Sequence, residues 1–139
     1  MALSLSRQLK YKLDKALKEF DITSAQISVI KVIQSSQKLI TAAEIAQYLG
    51  SDRPTISGII NRLEKKRILV KVDNSQDKRS SYLQINEESN ELIRKIISMS
   101  DELTLDIFSI YTEKEANQLT EMLERLLEAK LLNKINKKE

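Results

Sequence analysis

The first fact about reactive side chains in this sequence is which ones it lacks. Its 139 residues contain no histidine and no cysteine. The usual general base, the commonest zinc ligand, thiolate nucleophiles, disulfides and thiol redox sensing are all removed. The two glycines, Gly50 and Gly58, cannot form a Gly-rich phosphate loop. Serines, lysines and carboxylates do not gather by spacing into a nucleophile–base pair, so an enzyme is the least supported class, and no cofactor or metal is expected. What remains is a row at helical spacing: Arg53, Pro54, Ser57, Gly58 and Asn61, flanked by Thr55 and Arg62. Two cations, Lys78 and Arg79, follow on a polar loop. Hydroxyls and amides in such a row hydrogen-bond base edges or phosphates, and asparagine is the natural partner of adenine. Gly58 removes bulk from the row and permits close backbone approach. A single arginine on a thin ribbon suits the narrow minor groove of DNA, where the negative potential is strongest.

The charge agrees with that chemistry. The net charge is +3, distributed as +3 over residues 1–50, +4 over residues 51–80 and −4 over residues 81–139. The densest excess comprises Arg53, Arg62, Lys65, Lys66, Arg67, Lys71, Lys78 and Arg79. A basic patch on a nearly balanced chain suits a polyanion met by one face. Charge alone more often marks only a solvated surface.

The elements that must position these groups are legible in outline. One glycine pair and one proline leave few turns, which argues for a mostly helical chain. Leu5, Leu9, Leu13 and Leu17 form an apolar stripe over roughly residues 3–19. A cap at Asp21-Ile22-Thr23-Ser24 precedes a second helix carrying Ile27, Val29, Ile30 and Ile33 to about Ser35. Leu39-Ile40 reads as a minimal strand. Thr41-Ala42-Ala43-Glu44 is a capping box, and the helix that it opens stops at Gly50. Asp52 caps the next helix, Pro54 sits in its first turn, and Ile56, Ile59, Ile60 and Leu63 mark its buried face to about Arg67. Leu69-Val70-Lys71-Val72-Asp73 and Ser81-Tyr82-Leu83-Gln84-Ile85 read as a hairpin around a basic loop. Asn86 is expected to cap a long helix, and Thr112-Glu113-Lys114-Glu115 is a further capping box opening a last helix to Leu131.

The helices of residues 41–49 and 52–67, joined through Gly50, make a helix-turn-helix. Ala46 allows close packing, Gly50 turns the chain, and Ile56 locks the second helix on the first. Such a motif holds its second helix proud enough to enter a major groove about 12 Å wide. The hairpin is then a wing with Lys78 and Arg79 at its tip. Asp77 could brace Arg79 or reach Arg62; spacing does not choose between them.

With these pieces in place, the chain resembles the MarR family of winged helix-turn-helix transcriptional regulators. The resemblance runs from the first helix to Leu131. It is carried by Ile22-Thr23-Ser24-Ala25-Gln26, by Thr41 to Gly50, by Asp52-Arg53-Pro54-Thr55-Ile56-Ser57, by Asn61 to Lys66, and by the wing signature Asp77-Lys78-Arg79 followed by Leu83-Gln84-Ile85. It implies a homodimer on a pseudo-palindromic operator, with Pro54 to Arg62 in the major groove and Arg79 in the minor groove. Thr41, Asp52, Arg53, Thr55, Ser57, Gly58, Asn61 and Lys78 join that DNA-binding set. Family members are often switched by small aromatic acids held between the dimer helices and the DNA lobe. Arg7, Tyr11 and Lys12 are the polar partners expected for such an effector. Three departures stand out. Arg67 occupies a position usually held by glycine, and Gly58 one usually held by a larger side chain. Asn86-Glu87-Glu88-Ser89 replaces the commoner Thr-x-x-Gly.

The expected fold is therefore mainly α with a small β-hairpin wing. Residues 1–35 and 87–132 would form a helical dimerisation region, residues 36–86 the winged helix-turn-helix, and residues 133–139 a charged tail. The terminal helices carry apolar stripes too broad for a small monomer to cover, which argues for a partner chain. The start, Met1 to Lys15, lacks a signal-peptide apolar segment, and no apolar run approaches the ~18–20 residues of a membrane span. A cytoplasmic regulator of double-stranded DNA without a membrane partner, acting as a repressor, is the expectation; the rival is a winged helix that docks on protein without operator recognition.

Overall fold

A computed structural model describes residues 1–129. The expected end of the last helix at Leu131, the region boundary at 132 and the tail of residues 133–139 lie outside the described residues. The chain divides into two compact units, Met1–Ser100 and the segment from Asp101 onward.

In the first unit, helix α1 (Ala2–Leu17) continues as a 3-10 turn, Lys18–Phe20, and ends at Asp21 in a left-handed conformation (φ 53°). Helix α2 (Ser24–Ser35) starts from a capping box: the Gln26 backbone N–H donates to Thr23 Oγ1, and the Thr23 N–H donates to Gln26 Oε1. Strand β1 (Ile40–Thr41), helix α3 (Ala42–Leu49), helix α4 (Arg53–Lys65) and strands β2 (Leu69–Asp73) and β3 (Ser81–Ile85) follow. The sheet is antiparallel in the order β1-β3-β2, with Ile40 opposite Leu83 and Lys71 also opposite Leu83 from the other side. Helix α5 (Asn90–Phe108) begins in this unit and runs past its end at Ser100.

The core is aliphatic. Leu17, Ile27, Ile30, Ile45, Ile56, Leu63, Leu69, Ile93 and Ile96 are all almost fully buried. Burying each such side chain stabilises by about 1.5–3 kcal/mol. The isoleucine stripe of α4 is spent on this core, as its spacing implied. The leucine stripe of α1 differs: Leu17 is buried and Leu13 packs at the edge, whereas Leu3 and Leu5 are exposed.

At Arg67 and Asn86 the local backbone has a physical cause. Helix α4 ends at Lys65 because Arg67 turns left-handed (φ 58°). For a residue with a Cβ this costs about 1–2 kcal/mol. The turn is held by its carbonyl, which accepts from Asn86 Nδ2 (2.9 Å) and Ser89 Oγ (3.1 Å). Asn86 does cap, but not the long helix directly: its Oδ1 accepts from the Glu88 N–H at the head of a 3-10 turn, Glu87–Ser89, before α5 begins.

In the second unit, helix α6 (Glu113–Glu128) starts from the Thr112–Glu115 capping box. The Phe108 and Tyr111 rings lie 6.3 Å apart at 44°.

Candidate nucleic-acid interface

Side chains fix the start of each helix of the helix-turn-helix. The Glu44 N–H donates to Thr41 Oγ1, while the Thr41 N–H donates to Glu44 Oε2 (2.9 Å). Gly50 ends α3 in the left-handed region (φ 64°), which glycine adopts without penalty. Asp52 then caps α4: its Oδ1 accepts from the Thr55 N–H and its Oδ2 from the Thr55 hydroxyl, both at 2.8 Å. Pro54 occupies the first turn. These backbone bonds hold both carboxyls below their ordinary values. For Glu44 the Thr41 N–H is the main cause and Lys38 Nζ, 3.2 Å away, adds to it; for Asp52 the causes are the Thr55 N–H and hydroxyl.

Arg53, Pro54, Thr55, Asn61 and Arg62 are exposed on α4, and Ser57 and Gly58 are half-buried. A groove of about 200 Å³ runs between α4 and the hairpin. It gathers Thr41, Arg53, Ser57 and Asn61 from the helix-turn-helix with Lys71, Arg79, Ser80 and Ser81 from the wing. Cations and hydroxyls converging on one groove are the side chains that hold a phosphate backbone and read base edges.

Not every expected residue faces this groove. Arg62 instead lines a separate cavity beside Asp14, Asp21, Gln26 and Lys66, on the α1–α2 side. Asp52 and Thr55 are committed to each other as a cap. Lys78 is exposed on the wing loop. Arg7, Tyr11 and Lys12 are exposed on α1 and line neither cavity.

The choice left open for Asp77 is made at the wing tip. Its Oδ1 accepts from the Arg79 backbone N–H (3.0 Å) and from Arg79 Nε (3.2 Å). Arg79 is held by one edge while its side chain stays 92% exposed. That leaves the terminal guanidinium nitrogens for an acceptor in a groove.

Two residues outside the expected site also contribute, Lys71 having been placed only in the basic patch. Lys71 lines the groove and pairs with Glu64 at 3.1 Å. Its signal was strand alternation, which puts Lys71 on the same face as buried Leu69. Asn74 is buried at the base of the loop and accepts from the Gln76 and Asp77 N–H groups; within a polar run it reads as an ordinary turn residue.

The known proteins that resemble this chain share its architecture. The sequence profile of the MarR family matches residues 20–80. The chain is 27% identical over 107 residues to the HTH-type transcriptional regulator YdcH of Bacillus subtilis, covering 75% of this chain and 73% of that one. It is 23% identical over 128 residues to the transcriptional repressor MprA of Escherichia coli, covering 91% and 73%. It superposes on MepR of S. aureus, solved as a complex with DNA, with a TM-score of 0.80 at 27% identity, covering 91% of this chain and 93% of that one. The profile match takes in α2, the helix-turn-helix and the wing as far as Ser80, so most of the groove's lining falls within the stretch that matches the MarR family, and over that stretch the chain is similar to winged helix-turn-helix transcriptional regulators.

Proposed function

We propose that the protein is a homodimeric repressor that binds a pseudo-palindromic operator in duplex DNA, with α4 in the major groove and Arg79 in the minor groove. The observation that carries this reading is the convergence of Arg53, Ser57, Asn61, Lys71 and Arg79 on one groove. The MepR complex with DNA and the repressor MprA support it by similarity. Release by a small aromatic or amphipathic ligand completes the reading, with Arg7, Tyr11 and Lys12 as its polar contacts. Residues 36–86 are the DNA-binding head, and residues 1–35 with the helices after residue 87 are the pairing region.

Selection from random duplexes tests the reading. An enriched palindrome is expected, and no enrichment would leave a protein-docking winged helix instead. On the selected operator, Arg79→Ala should lose about 1–3 kcal/mol of binding free energy while self-association is unchanged. Wild-type affinity in that variant would remove the wing from the interface.

A further inference from the structure

Gly58 has no role that the fold accounts for. It lies inside α4, its φ is not positive, and a Cβ built on it would meet nothing within 4 Å. Glycine is the poorest helix former after proline. The helix would be more stable with alanine there, and packing would not object. The gap is therefore of use only to something outside the chain.

Its surroundings indicate what. Pro54 and Thr55 stand one turn before it, and Asn61 and Arg62 one turn after it, all exposed. The Thr55 hydroxyl is tied to Asp52 Oδ2, so its methyl is what Thr55 has to offer. The N–H groups of a helix interior are used by the helix itself, so the gap offers no donor to a phosphate. It is an open, apolar stretch of helix surface one turn from an amide. In the major groove, the C5-methyl of thymine is the group that matches an apolar surface, and adenine is the base that asparagine pairs with.

On the reading of α4 as the major-groove helix, we propose that Gly58 is a specificity-determining gap that seats a thymine C5-methyl against its Cα, between Pro54 and Thr55. Asn61 reads an adenine edge one turn further along the same face. The half-site accordingly contains a fixed A·T-rich step opposite α4. A side chain at position 58 fills the gap and pushes the helix out of the groove.

The test uses the full-length protein and its selected operator. Gly58→Ala should melt a few degrees higher than wild type. It should bind the operator at least about tenfold more weakly, a larger loss than the same variant shows on random duplex. Replacing operator thymines one at a time by uracil, which lacks the methyl, should cost wild type about fourfold at one position in each half-site. That loss should disappear in Gly58→Ala. A Gly58→Ala protein that binds the operator at full strength, or uracil substitutions that are silent at every position, would overturn the gap while leaving the operator reading intact. Failure to select any operator, or full-strength binding by Arg79→Ala, would overturn the operator reading and the gap with it.

Discussion

At the wing, a buried amide organises an exposed cation. Asn74 is 8% exposed. Its Oδ1 accepts from the Gln76 N–H (3.0 Å) and the Asp77 N–H (3.2 Å), and its Nδ2 donates to Ser80 Oγ (3.1 Å). Asp77 in turn holds Arg79. The sequence of bonds starts in the core-facing base of the loop and ends at the guanidinium. Asn74→Ala removes three of them, each worth about 0.5–1.5 kcal/mol. The loop must then be ordered when DNA binds, and that ordering is subtracted from affinity. Operator titrations should show a several-fold loss with the sequence preference unchanged, because α4 is untouched. Equal affinity for wild type and Asn74→Ala would deny the residue any positioning role. Arg79 and Asp77 were legible from their types and spacing; their pairing was not, because Arg62 was an equal candidate along the chain. The roles of Asn74 in the loop and of Lys71 in the groove were hidden for a related reason. Their importance comes from burial and strand facing, which exist only once β2 and β3 are in register.

The elements were more legible than the contacts between them, because their starts are written in capping chemistry. Thr23, Thr41 and Thr112 each open a helix with a reciprocal box, and Asp52 opens α4. What spacing could not supply was the left-handed Arg67, which shortens α4, or the 3-10 turn that separates Asn86 from α5. The caps of α3 and α4 also make the reading head acid-sensitive. Glu44 is held below an ordinary value of 4.5 and Asp52 below 3.8, both chiefly by backbone N–H groups. A carboxyl depressed in the folded state contributes stability above its unfolded value and loses it as the pH falls through its folded value. Melting temperature measured from pH 7 downward should therefore be flat to about pH 5 and fall below the ordinary carboxyl values. Glutamine and asparagine retain capping geometry but do not titrate. Glu44→Gln with Asp52→Asn should melt below wild type at neutral pH, and the gap should narrow as the solution is acidified. A gap that stays constant down to pH 3 would show that these caps do not titrate with folding.

For the whole molecule, the decisive fact is an apolar surface that the described residues leave uncovered. Helix α6 buries none of its residues, and Met122, Leu123, Leu126 and Leu127 are 47–67% exposed. Leu3 and Leu5 on α1 are exposed as well. The sequence announced these stripes as helical, but no single chain can say what covers them. The proposed dimer gives them a partner and gives the head its geometry: a two-fold axis presents two copies of α4 about one DNA turn (~34 Å) apart. Neither head alone would read more than half an operator. Leu123→Glu with Leu127→Glu places four buried charges in a symmetric interface and should yield a monomer by light scattering at micromolar concentration. The head should stay folded, since its core lies in residues that α6 does not contribute. Operator affinity should drop by at least about a hundredfold, toward the range of non-specific binding. The residual binding should lose its preference for the palindrome and show roughly half the wild-type slope against salt, because each head brings its own set of phosphate contacts. A wild-type chain that scatters as a monomer at the same concentration would refute the pairing, as would a double variant that keeps both the palindrome preference and the full salt slope.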